Sequence, residues 1–190
     1  MPDFEADPRI ARTRSAVLDA ATALLAEEGS AGFTVDSVVA RSGVAKTTIY
    51  RHWPTRDHLL MAAVSCFERV EEVPDTGSVR SDLVAFLSRL AKELADNQWS
   101  KSLPAMLERG EHDEDLAAQM RIITEQKSTP LRNILERARD RGEIHEDADL
   151  DLALASLSGP LFYRRLMLHA STTSLQVEVI VDIILGGLAI

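Results

Sequence analysis

The sequence predicts an all-α protein of about nine helices, and three observations carry that expectation. Apolar residues recur at three- and four-residue spacing almost throughout the chain. No stretch of any length alternates apolar and polar residues as a half-buried strand would. Glycine and proline punctuate the chain at intervals that suit helices of one to several turns.

The elements follow in order. Ile10, Val17, Ala21, Leu24 and Leu25 place one apolar face on a first helix over residues 9–28, which the GSAG of residues 29–32 stops. Thr34 can cap a second, short helix, with Ser37 rather than a carboxylate three residues on, and Gly43 ends it. A third short helix spans residues 45–52 and stops before Pro54, because a residue preceding proline is pushed out of the helical region. A fourth runs from Thr55 through Leu59, Leu60, Val64 and Phe67 to about Val70. The PDTGS of residues 74–78 is a boundary element too short for a free linker. Further helices are expected over residues 79–97, 101–109, 113–141 with a bend at Pro130, 148–168 and 173–188.

Composition limits the function classes. Of 190 residues, 45% are hydrophobic and 27% charged, enough for a core and a wetted surface. No apolar run approaches the roughly 20 residues that cross a bilayer, and residues 1–14 lack the apolar stretch of a secretion signal. Cys66 is the only cysteine, so no internal disulfide forms; a reducing, cytoplasmic setting is expected. The formal net charge is −9, but residues 9–56 hold seven cations against four anions, so the charge is divided. A basic N-terminal segment on an acidic body suits one surface facing phosphate and another kept soluble.

The segment of residues 33–60, FTVDSVVARSGVAKTTIYRHWPTRDHLL, carries the function. Two short helices meet at a tight turn on Gly43, where positive φ is cheapest. Val38, Val39, Val44 and Ile49 can pin them at a steep angle, and the second then shows Lys46, Thr47, Thr48, Tyr50, Arg51 and His52 outward. This is the arrangement of a recognition helix for the major groove. Gly32, Thr34, Val35, Val38, Gly43, Val44, Thr48, Ile49, Tyr50, His52, Trp53, Thr55, Arg56, Asp57 and Leu59 stand where the DNA-binding motif of the TetR (tetracycline repressor) family has its characteristic residues, and the chain resembles that family. The resemblance implies that Lys46 and Thr47 meet base edges, while Thr34, Thr48, Tyr50, His52 and Arg56 hold phosphates. Trp53, at the junction with the fourth helix, reads as core. Arg12 and Arg14 suit either solvent or the DNA backbone. Ala45 stands where the family usually has serine, and Val39 and Ser42 where alanine is commoner, so the turn lacks one hydroxyl that could cap the helix or meet a phosphate.

The resemblance divides the chain into a helix-turn-helix DNA-binding domain, residues 1–54, and a helical ligand-binding and dimerisation domain, residues 55–190. The last two helices show apolar stripes, Leu150, Leu154, Leu157 and Leu161 on one and Leu175, Val179, Ile183 and Ile184 on the other. So much apolar surface on a small acidic domain calls for a partner. The resemblance makes that partner a second copy, joined in a four-helix bundle; packing within one chain is the alternative. It also implies an effector pocket among the middle helices, lined by Phe67, Phe86, Leu90, Trp99, Met106, Met120, Ile123 and Phe162, with the Tyr163 hydroxyl turned inward. Each of these residues would equally serve an ordinary core.

Two acidic clusters, EHDED at residues 111–115 and EIHED at 143–147, contain one histidine each. A metal site is conceivable there, but carboxylates at helix N-termini explain both more simply. Cys66 has apolar neighbours and no second cysteine to resolve an oxidised thiol, so it makes a poor redox sensor. No nucleophile–base pair, phosphate loop, dinucleotide fingerprint or zinc spacing marks an enzyme, and no cofactor is expected. The expectation is a dimeric repressor released from double-stranded operator DNA by a small, largely apolar effector. The rivals are a dimeric helical adaptor and a DNA binder without ligand control.

Overall fold

The computed structural model describes residues 8–66, 73–96 and 98–188. Among them are nine α-helices, one short 3-10 helix and no strand. The α-helices are α1 (Pro8–Gly32), α2 (Val35–Ser42), α3 (Lys46–His52), α4 (Arg56–Ser65), α5 (Val79–Asp96), α6 (Leu103–Gly110), α7 (Glu114–Asp140), α8 (Leu150–Leu166) and α9 (Ser174–Leu188). The 3-10 helix, Gln98–Ser102, runs directly into α6.

Local chemistry sets the early boundaries. Gly29 interrupts the helical course of α1 at φ 67° and ψ −169°. Thr34, in extended conformation, caps α2 by accepting from the Ser37 N–H. Gly43 closes α2 in the left-handed region at φ 69°, its N–H donating to the Val39 carbonyl at 2.9 Å. Thr55 caps α4 by accepting from the His58 N–H. The described part of α4 ends at Ser65, with Cys66 as its cap; the expected continuation to Val70, including Phe67, lies outside the described residues. Further on, α7 continues past Pro130 as one helix.

The chain forms two compact units, Met1–Val70 with Lys101–Arg121, and Glu71–Ser100 with Ile122–Ile190. In the first, α1 packs on α2 and α4, and α2 on α3. Val17, Ala21, Leu25, Phe33, Val38, Ile49 and Leu59 are fully or almost fully buried there. In the second, α5, α8 and α9 pack on one another around Leu83, Leu87, Leu157, Val177 and Val181. These units do not follow a cut between residues 54 and 55, because the first keeps α4 and α6.

The acidic clusters serve helix starts. Asp113 accepts from the Leu116 N–H in the first turn of α7, and Glu143 accepts from the Val79 N–H at the head of α5 at 2.8 Å. That bond, with Arg141 beside it, holds the Glu143 carboxyl below the usual carboxylate range.

Candidate nucleic-acid interface and effector region

Ile49 and Trp53 hold α3 in place. Both are buried, and they anchor its inner face while Tyr50 and Arg51 between them turn outward. Lys46, Thr47, Tyr50 and Arg51 are exposed, and Thr48 and His52 half-buried. The His52 ring tilts against that of Trp53 with centroids 5.7 Å apart. Its Nε2 is buried and has no hydrogen-bond partner among the described residues. Arg14 places its guanidinium over the other ring of this corner, 5.9 Å from the Trp53 centroid. The sequence left Arg14 between solvent and DNA backbone; its cation–π contact gives it a packing role as well.

Three cations of the motif have partners within the chain. Lys46 Nζ lies 2.8 Å from Asp36 Oδ1, and that hydrogen bond raises the ammonium pKa above its ordinary value. Arg41 makes a two-pronged pair with Glu27 at 2.8 and 2.6 Å, tying α2 to α1. Arg56 donates from Nε to the Phe33 carbonyl at 2.7 Å, pairs with Asp57 at 3.1 Å and lies over the Phe33 ring. Sequence reasoning set Arg56 open to phosphate. In the structure its guanidinium reaches back to the chain entering α2.

Ala45, at the start of α3, makes no side-chain cap bond, as the missing serine hydroxyl implies. The Thr34 hydroxyl is likewise occupied, capping α2 and meeting the Ser37 hydroxyl at 2.7 Å. What remains is a convex polar face of Lys46, Thr47, Tyr50 and Arg51 on a helix presented by a left-handed glycine turn. That geometry defines a helix-turn-helix protein of the DNA-binding class.

The outward surface of the second unit differs from the expected one. Leu154, Leu157 and Leu161 are buried inside the chain, at 8%, 0% and 1% exposure, so the α8 stripe is core and not an interface. The open face of α8 carries Leu152, Ala155, Gly159 and Tyr163 instead. On α9 the stripe is exposed as read, with Leu175 at 72%, Val179 at 48% and Ile183 at 67%, and Ile184 half-buried. A cleft of about 400 Å³ lies between the start of α8 and the end of α9, bordered by Leu152, Ile183, Ile184 and Gly187 and by His145, Asp147 and Asp149.

The expected effector residues are scattered. Phe86 and Ile123 are buried in the second unit, and Leu90 and Phe162 half-buried. Tyr163 is 56% exposed, so its side chain faces outward, contrary to expectation. Met106 is buried in the first unit and lines a cleft of about 190 Å³. The Met120 sulfur lies 3.1 Å from where a Cβ on Gly110 would stand, at the meeting of α6 and α7. Phe67 and the Trp99 side chain lie outside the described residues. Burial and the nearby Asp19 charge push the Cys66 thiol pKa up, away from reactive thiolate. Asp57, Ser102 and Arg109 also line the 190 Å³ cleft, and sequence reasoning named none of the three as a ligand-binding candidate. Only helix-to-helix packing brings them together.

Comparison with known proteins agrees with this geometry. Residues 17–63 match the family model described as "Bacterial regulatory proteins, tetR family", and residues 73–184 match "Tetracyclin repressor-like, C-terminal domain". The chain is 32% identical over 163 residues to the uncharacterized HTH-type transcriptional regulator YdeS of Bacillus subtilis, covering 84% of this chain and 81% of that one. It is 38% identical over 147 residues to a DNA-binding transcriptional repressor TetR of Mycobacteroides abscessus, covering 74% and 75%. The crystal structure of the TetR family transcription regulator SCO0332 superposes with a TM-score of 0.84 at 30% identity, covering 94% of this chain and all of that one. The chain belongs to the TetR family of helix-turn-helix transcriptional regulators. This is a family of regulators and not of enzymes; its members bind operator DNA and small-molecule ligands and are typically dimers. Among the described residues no helix is long and apolar enough to cross a membrane.

Proposed function

We propose that the protein is a homodimeric repressor that leaves its operator when a small, largely apolar effector binds. The observation that carries this reading is the polar convex face of α3, set on buried Ile49 and Trp53 beside the Gly43 turn. Lys46 and Thr47 stand at the N-terminal end of that face, where base edges are reached, with Thr48, Tyr50, Arg51 and His52 behind them toward the backbone. Arg56 and Thr34 act as positioning residues for this face, since each bonds within the chain.

Dimerisation is supported by the open apolar face of α8 and α9. Leu152, Leu175, Val179 and Ile183 are exposed there, and Gly159, Gly186 and Gly187 leave open space for close helix approach. A second copy covering this face accounts for it better than solvent does. Two copies give two recognition helices, hence a palindromic operator with half-sites about one helical turn or more apart. Functionally, residues 1–54 read DNA and residues 55–190 bind ligand and partner, in a reducing cytoplasm. A mobility-shift titration with the DNA upstream of the protein's own gene tests the reading. A retarded band that a small molecule abolishes is expected. No sequence-specific shift would leave only a dimeric helical adaptor, and a shift that no compound reverses would leave a DNA binder without ligand control.

A further inference from the structure

The cleft of about 190 Å³ lies within the first compact unit, between α4, α6 and the start of α7. Its apolar walls include Leu60, Met61, Met106 and Leu116, all buried. Size comes first. An apolar cavity of about 150 Å³ takes one benzene ring; this cleft is somewhat larger, with room for one ring and one small substituent. The walls match an aromatic guest, since the thioethers of Met61 and Met106 make favourable contacts with aromatic rings.

The polar groups say what the substituent is. Ser102 is 0% exposed, and its hydroxyl has no hydrogen-bond partner among the described residues. It stands at the N-cap of α6 yet makes no cap bond, because the 3-10 helix runs straight on and holds it at φ −84°, ψ −17°. A buried hydroxyl without a partner is a vacant hydrogen-bonding position. Beside it, Asp57 pairs with both Arg109 and Arg56, so two guanidinium groups face one carboxylate. Arg109, half exposed at the rim of the cleft, offers a guanidinium that an anionic substituent can engage.

We propose that this cleft binds a single-ring aromatic carboxylate, and that this ligand is the effector. The second half rests on the ligand-responsive reading above; the first stands without it. The carboxylate accepts from the Ser102 hydroxyl and from Arg109, taking Arg109 from Asp57. Asp57 lies in the first turn of α4, next to the Arg56 that reaches the Phe33 carbonyl ahead of α2. Ligand binding therefore releases the first turn of α4 from α6, next to the chain segment that leads into α2.

Calorimetric titration of benzoate into the full-length protein is the test. Saturable binding is expected with a dissociation constant of about 1 mM or tighter, and neutral benzamide binds about tenfold more weakly or worse. Ser102→Val and Arg109→Gln each weaken benzoate by about tenfold, with melting temperatures recorded to verify folding. Ala105→Phe narrows the cleft from an exposed position and abolishes binding without disturbing the core. Absence of saturable benzoate binding overturns the proposal, as does binding undiminished in both Ser102→Val and Ala105→Phe. Operator release is scored separately. If a larger compound releases the operator from wild type and Ala105→Phe alike, the effector seat lies elsewhere and the proposal fails while ligand control stands. If benzoate binds as predicted but no compound releases the operator, ligand control fails and the binding site stands.

Discussion

Helices α8 and α9 look alike in sequence and differ in structure. Each shows aliphatic residues at helical spacing, and each stripe reads as a candidate seam between copies. Yet Leu154, Leu157 and Leu161 of α8 are buried within the chain, whereas Leu175, Val179 and Ile183 of α9 stand open. A periodic pattern announces that a helix has an apolar face, but not what that face meets. The α8 stripe meets its own unit. On α9 the inner face is Val177 and Val181, both at 0% exposure, so the remaining aliphatic residues are surplus to the core. The DNA-reading segment repeats the lesson with charge: Lys46 is exposed, while Arg56 is turned back on Phe33.

The comparison can be broken most decisively at Ile183. Ile183→Glu places an unpaired charge in the proposed seam, destabilising the dimer by about 3–5 kcal/mol. Sedimentation should show monomers that keep their helical content and lose operator affinity. A wild-type protein that sediments as a monomer at micromolar concentration would sink the dimer. Leu157→Ala should behave in the opposite way. It removes buried volume and lowers unfolding free energy by about 2–5 kcal/mol, while the dissociation constant of the dimer stays put. Chemical denaturation of the two variants side by side separates core from seam.

Smaller effects sharpen the contrast between the two cations. Lys46→Ala should weaken operator binding by about 1–3 kcal/mol and relax preference at one base pair per half-site, read on a panel of mutated operators. Arg56→Ala removes the bond to the Phe33 carbonyl and should lower stability by about 1–2 kcal/mol, with the salt dependence of DNA binding unchanged. A flattened salt slope in that variant would restore Arg56 as a direct phosphate contact. Smallest of all, Asp36→Asn frees Lys46 from its exposed surface pair and should tighten non-specific DNA binding a few-fold in filter-binding assays.

Much of the fold was legible because its signals are local. Thr34, Gly43, Pro54 and Thr55 mark their boundaries through backbone and capping chemistry that needs no neighbour. The Ile49–Trp53 anchor and the exposed face of α3 follow from one helical period. The rest depends on which helices meet. Nothing near Arg56 in sequence announces the Phe33 carbonyl, which belongs to a residue 23 positions away. Nothing near Ser102 announces that a 3-10 turn will deny it the capping role its position offers. Asp57 and Arg109 are 52 positions apart and become one pair only when α6 packs against α4. Tyr163 failed for the same reason, since a tyrosine beside two arginines gives no sign of which way the helix is turned.

The internal ion pairs of the reading segment have a consequence for how the protein finds its target. Arg41, Lys46 and Arg56 each have a carboxylate partner before any DNA arrives. Random duplex offers only phosphates, which must compete with those carboxylates and gain little from doing so. The expected consequence is that these three side chains add little to non-specific association, so that residence on a wrong stretch of DNA is shortened. Searching by many brief landings more than by long slides along the backbone is then expected. On the proposed reading, a site that also satisfies the α3 face with base-edge contacts would draw Lys46 away from Asp36 and convert a landing into a stay.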